Sequence, residues 1–228
     1  MVALKTFNNL SIERQTEIIS VCLEEFALHE YQTASLSNIV SRLNLAKGSF
    51  YRYFENKQSL YFFLLDHCIQ TRLKNDQEAI TVKPTDFFEL MIEHLKAKAK
   101  FDKRFPLHSA FLYNVMQEKN NDEIGNIQLT VKLKALEAVK PLVSEAFKNH
   151  VFRRDIDIEA ISFLVYRMQF TILEYLELKH KLDFRQNIKN QKPFYNLPEQ
   201  EILNVAKPFI EIFKTGIAGK KEENNSYE

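Results

Sequence analysis

The sequence predicts an all-α protein, and three observations carry that expectation. Glycine and proline are scarce: four glycines and six prolines in 228 residues supply too little turn chemistry for a sheet of many short strands. Leu, Ile, Lys, Glu, Gln and Phe recur over long stretches at the three- and four-residue spacing of a helix, not in alternation. The chain is 45% hydrophobic and 27% charged, which suits a folded domain. No window approaches the roughly 18 unbroken apolar residues of a membrane span.

The elements follow in order. A first helix is expected over Ile12 to Leu28, with Ser11 as its cap and Ile18, Cys22 and Phe26 recurring every four residues on a buried stripe beside Ile19 and Leu23. Glu13 sits in its first turn, where the helix dipole favours an acid. Ser35 can cap a second helix, Leu36 to Leu43, whose Leu36, Ile39, Val40 and Leu43 face inward. Asn44 tolerates a left-handed backbone and can end it, turning the chain through Leu45 and Ala46. A short third helix spans Lys47 to Tyr53, and Asn56 can cap a fourth that starts at Lys57 and carries Leu60, Phe63, Leu64 and Cys68 inward.

After Lys74, the polar segment NDQEAITVKPTD, interrupted by Pro84, reads as a connection. Asp86 and Glu89 have capping-box spacing. Further helices are expected over 86–100, 106–118, 123–149, 157–180 and 198–217, the last bent at Pro208. The domains are therefore 1–74, a three-helix helix-turn-helix unit with its connecting helix; 75–219, a helical domain; and a mobile polar tail, 220–228.

Charge narrows the partners. With 31 Lys plus Arg against 30 Asp plus Glu, the net charge of +1 gives no whole-molecule attraction to nucleic acid or membrane. Any such binding must rest on a local surface. Two cysteines without Cys-x-x-Cys spacing fit a reducing cytoplasm, and the start of the chain shows no basic stretch leading into an apolar run, so it is read as unprocessed and cytoplasmic.

The local surface lies in Ser35 to Lys57, SLSNIVSRLNLAKGSFYRYFENK. A two-turn helix, a three-residue turn and another short helix are the arrangement that presents a recognition helix to the DNA major groove. Arg42, Lys47, Arg52 and Lys57 stand against one acid, Glu55. A charge cluster this small is usually a solvated face, so its surroundings matter more. Gly48 in the first turn of a helix is unfavourable unless something must approach the backbone closely, either DNA or the preceding helix. Ser49, Tyr51 and Tyr53 offer hydroxyls to phosphate or base edges, while Phe50 and Phe54 anchor the other side.

These residues resemble the DNA-binding domain of the tetracycline-repressor (TetR/AcrR) family over about Arg14 to His67. The likeness rests on Phe26-Ala27, Tyr31, Ser35, Ile39-Val40, Leu45-Ala46, the run Lys47 to Phe54, and Asn56-Lys57 before Leu60. It implies that Lys47, Ser49 and Arg52 face base edges, with Ser37 near the groove, and that Tyr51, Tyr53 and Lys57 grip phosphates. Glu30 and Asn44 stand where the family usually has glycine. Asn44 can take the same backbone shape, and Glu30 cannot do so without strain.

The resemblance ends before the C-terminal two thirds, for which it implies homodimerisation through the last two long helices and an effector pocket. The residues agree with the first point, since the 157–180 and 198–217 helices carry more apolar surface than one core needs. The alternative is that they cover only their own domain. Phe87, Phe88, Phe111, Phe163 and Phe170 read first as core. His108, Tyr113, Gln117, Tyr166 and Gln169 could supply the polar groups of a pocket for a small apolar or amphipathic effector.

Other chemistry finds little support. The six histidines form no close pair of metal-ligand spacing, no phosphate loop or nucleophile elbow occurs, and Cys22 and Cys68 lie on apolar helix faces. No cofactor, metal or enzymatic activity is expected. The function expected is that of a ligand-responsive repressor, homodimeric on a palindromic operator; the alternative is a helical carrier of a lipid-like molecule that does not bind DNA.

Overall fold

The computed structural model describes residues 5–80 and 86–217. Among these it has eleven helices and no strand beyond one isolated bridge between Asn121 and Gly125. Residues 81–85, including Pro84 of the expected connection, and the expected tail at 220–228 lie outside the described residues.

Two short helices were not legible in the sequence. The first, α1 (Lys5–Asn8), is held by Phe7, which is 1% exposed and packs on Phe54 at 5.1 Å and Phe63 at 5.3 Å between ring centroids. Helix α2 (Ile12–Leu28) has the expected bounds, and the Ser11 hydroxyl accepts the Arg14 N–H at 3.3 Å. Its buried stripe holds Ile18, Cys22, Leu23 and Phe26, and also Glu25 at 3% exposure. The Glu25 carboxylate accepts the Ser35 N–H at 2.8 Å and the Asn38 side-chain amide, so a buried acid of α2 fixes the start of α3 (Leu36–Arg42).

At the end of α3, Asn44 adopts φ 51° and the Leu45 N–H returns to the Val40 carbonyl at 3.1 Å. This left-handed stop is the turn that asparagine was expected to make. Glu30 has no positive φ, so the loop after α2 takes a route that needs no glycine there. Helix α4 (Lys47–Tyr51) ends earlier than expected, and Arg52 and Tyr53 complete it as single turns with N–H bonds to Ser49 and Phe50 carbonyls.

Helix α5 (Lys57–Ala79) begins at a reciprocal cap, in which Asn56 Oδ1 accepts the Ser59 N–H at 2.7 Å and Ser59 Oγ accepts the Asn56 N–H at 3.1 Å. It continues through residues 75–79, where the polar composition predicts a connection. Long-range contacts decide this: the buried Asn75 amide donates to the Ala97 carbonyl at 3.1 Å and Arg104 meets Glu78 at 3.3 Å. The Arg72–Asp76 pair at 2.9 Å adds a contact within the helix.

Asp86 caps α6 (Phe87–Arg104) through the Glu89 N–H at 2.7 Å, and Pro106 opens α7 (Pro106–Val115). Helix α8 (Ile127–Lys148) starts later than expected because residues 121–125 form a turn with Gly125 at φ +59°. Helix α9 (Ile158–His180) is capped by Asp157. The second unpredicted helix, α10 (Phe184–Lys189), is pinned by stacking of Phe184 on Phe194 at 4.3 Å. Helix α11 (Glu199–Ile217) runs on through Pro208.

Two compact units emerge from interleaved stretches of chain. The first comprises, of the described residues, 5–79, 97–131 and 183–196, so α7 and α10 join the N-terminal helices. Its core gathers Phe26, Tyr31, Ile39, Phe50, Phe54, Tyr61 and Phe111. Asn114 of α7 ties it further by donating to the Phe26 and Ala27 carbonyls at 2.9 and 2.8 Å, satisfying orphan groups at the end of α2. The second comprises, of the described residues, 80, 86–96, 132–182 and 197–217, where α9 packs on α11 with Ile161, Ile172, Leu176, Ile202, Ala206 and Ile210 buried.

Candidate nucleic-acid interface

The presentation of α4 follows from local rules already met. A capped α3, the left-handed Asn44 and the inward rings of Phe50 and Phe54, 5.6 Å apart, leave one side of α4 facing solvent. On that side lie Lys47 and Tyr51, then Gly48 and Arg52, each pair four residues apart and all exposed. Ser49 and Tyr53 are half-buried, and Ser37 is exposed in the first turn of α3. Thr6 of α1 donates to the Arg52 carbonyl, anchoring the backbone beneath its side chain.

Charge on this surface is not neutralised by the fold. Arg42 pairs with Glu24 at 2.6 Å, but no ion pair engages Lys47 or Arg52 among the described residues. Gly48 is equally informative. A Cβ built on it meets no heavy atom within 4 Å, so the preceding helix does not require the glycine. Of the two reasons the sequence offers for Gly48, packing against the preceding helix is set aside.

Lys57 sits differently from the other predicted contacts. It is half-buried at the start of α5, with its ammonium 4.7 Å above the centre of the Tyr31 ring and donating to the Gln32 carbonyl at 3.3 Å. Burial lowers its pKa from the ordinary lysine value, partly offset by Glu123, Glu118 and Glu25. Sequence reasoning gave no role to these three acids or to Asn114. Glu25 left a faint signal as an acid at an apolar-stripe position, seven residues after Ile18 and three after Cys22; Glu118 and Glu123 left none.

Residues 18–62 match the sequence model of a family described as bacterial regulatory proteins, tetR family. Residues 18–62 thus carry a tetR-family sequence domain. Solved tetR-family structures extend the likeness of fold over nearly the whole chain. A TetR family transcriptional regulator from Chloroflexus aurantiacus J-10-fl superposes with a TM-score of 0.79 at 21% identity, covering 96% of this chain and 100% of that one. A TetR family regulator from Cytophaga hutchinsonii gives 0.59 at 18% identity, covering 92% and 96%. The full-length tetR regulator TylP from Streptomyces fradiae gives 0.59 at 14%, covering 90% and 87%. No curated protein matches the sequence. The tetR-family domain at residues 18–62 and the shared fold support a DNA-binding transcription regulator.

The five residues considered for an effector fall in different units. In the first, the His108 ring lies 5.3 Å from those of His67 and Phe105, Tyr113 packs on Phe184 at 5.1 Å, and Gln117 is exposed. In the second, Tyr166 is buried beside Phe170 at 5.3 Å and Gln169 is half-buried. Burial pulls the His108 imidazole down to about 4, with His67 acting in the same direction. A cleft of about 320 Å³ in the first unit is lined by other residues, among them Lys74, Asn75, Glu78, Arg104 and Phe105.

Burial also raises the thiol pKa values of Cys22 and Cys68, which makes both inert. Among the described residues no group of three His, Cys, Asp or Glu is placed to hold a metal, and no helix is long and apolar enough to cross a membrane.

Proposed function

We propose that the protein is a ligand-responsive transcriptional repressor of the cytoplasm that binds a palindromic operator as a homodimer. The supporting observation is the exposed α4 surface, where Lys47 and Arg52 carry unpaired charge beside the open backbone of Gly48. Each copy inserts α4 into a major groove, Lys47, Ser49 and Arg52 meet base edges with Ser37 beside them, and Tyr51, Tyr53 and Lys57 meet phosphates. Two-fold symmetry then sets recognition helices about 34 to 36 Å apart, or a multiple of that.

The surface of the second unit favours self-association. Leu164, Thr171, Tyr175 and Leu178 of α9 are all exposed along one seam, and Leu178 is 69% exposed; Ile212 of α11 is 73% exposed. Water contact on so much apolar area is relieved by pairing α9 and α11 with their copies. A small apolar or amphipathic effector then changes DNA affinity by binding better to one separation of the two recognition helices than to the other. Its candidate polar contacts are His108, Tyr113 and Gln117 in the first unit, or Tyr166 and Gln169 in the second.

Footprinting on the DNA upstream of the protein's own gene, with and without apolar ligands, tests the reading. Arg52→Ala should cost about 1 to 3 kcal/mol and relax base preference at one position per half-site, whereas Lys57→Ala should weaken all sequences alike and lower the salt slope by about one. Equal loss on operator and random duplex for Arg52→Ala rejects its base-reading role. No shift of any duplex by the wild-type protein returns the chain to the carrier reading.

A further inference from the structure

The turn between α7 and α8 reaches the recognition module with two carboxylates. Asn121 Oδ1 accepts the N–H groups of Glu123 at 3.1 Å and Ile124 at 3.0 Å, and the Gly125 N–H closes onto the Asn121 carbonyl at 2.8 Å. This fixes Glu123, whose carboxylate accepts the Tyr31 hydroxyl and whose carbonyl accepts the Gln58 side-chain amide. Glu118, 7% exposed, accepts the Tyr31 backbone N–H at 2.6 Å. Tyr31 is thereby held at both ends, and its ring is the floor on which the Lys57 ammonium rests.

We propose that Glu118 and Glu123 are positioning residues for DNA recognition: through Tyr31 they seat the Lys57 ammonium against the protein, and a DNA phosphate must draw it from that acidic seat. The proposal rests on the DNA-binding reading given above. It makes the seat an intramolecular competitor of the phosphate backbone, since both attract the same cation. Because the carboxylates are carried by the α7–α8 turn and not by α5, displacement of that turn changes how freely Lys57 meets DNA.

Glu123→Gln and Glu118→Gln keep an oxygen able to accept from Tyr31 and remove only the negative charge. At low salt each should raise affinity for duplex DNA by about three- to tenfold, fading as salt screens the charges. The gain should vanish in a Lys57→Met background. An equal gain in both backgrounds would show ordinary removal of repulsion between acid and DNA, and would overturn the proposal.

A DNA-free measurement separates this from the regulator reading. Acetylation of Lys57 by acetic anhydride, followed by peptide mass spectrometry with Lys47 as internal reference, should run about threefold or more faster in Glu123→Gln than in wild type. If wild-type protein binds no duplex but Lys57 reactivity rises, the regulator reading fails and the acidic seat stands. Unchanged reactivity overturns the seat whatever the DNA result.

Discussion

Replacing His108 with phenylalanine should flatten the acid limb of the protein's stability curve. The imidazole lies among the rings of His67, Phe101 and Phe105, and burial lowers its pKa from 6.5 to about 4, with His67 contributing in the same direction. An unfolded chain takes up a proton at this site near pH 6.5, while the folded chain does so only near 4. The stabilisation is therefore fully present above pH 6.5 and is lost as pH falls through that window. A difference of 2.5 units at 1.36 kcal/mol each amounts to about 3 kcal/mol over the whole window, of which about 2 kcal/mol is gone by pH 5. Urea unfolding at fixed protein concentration, at pH 7.5, 6.5, 5.5 and 5.0, measures it. The wild-type protein should lose about 2 kcal/mol more than His108→Phe between the extremes. Parallel curves would refute the claim that a neutral buried imidazole is a source of acid sensitivity. His67, also lowered by burial and only partly restored by Asp66, contributes with the same sign in both proteins.

Three further outcomes follow from the geometry. Gly48→Ala should leave the fold intact, or stabilise it by up to about 1 kcal/mol, because alanine favours helix and meets no neighbour; gel shifts should nevertheless show weaker operator binding, and unchanged affinity would deny DNA the open space at Gly48. Asn44→Ala should cost about 1 kcal/mol in urea unfolding because of φ 51°, whereas Asn44→Gly should be neutral or better; equal effects would remove the left-handed turn as the reason. Leu178→Glu combined with Ile212→Glu should convert a sedimenting dimer into monomer and abolish cooperative operator binding, while a dimer that persists would place self-association elsewhere.

Local chemistry written in the sequence determined where most helices begin and how the recognition module turns. Ser11, Ser35, Asn56 and Asp86 each accept a backbone N–H that a helix start leaves unpaired, and a cap works through the next three residues alone. Asn44 is equally self-contained, because its backbone preference needs no partner. The exposed character of Lys47, Gly48, Tyr51 and Arg52 followed from the same short range, once Phe50 and Phe54 pointed the other way.

Tertiary structure decided what depends on residues distant in the chain. Helices α1 and α10 are too short to persist on propensity and stand because Phe7 and Phe184 find aromatic neighbours. The last turn of α5 is held by Asn75 reaching Ala97, where composition alone suggested a loop. The placement of Lys57 shows the contrast most clearly. A lysine at a helix start reads as an outward phosphate clamp, but Tyr31, Gln32 and two acids some sixty residues farther along the chain determine where its charge rests. Electrostatic and aromatic contacts act through space, so a linear pattern carries the cation but not the seat that holds it.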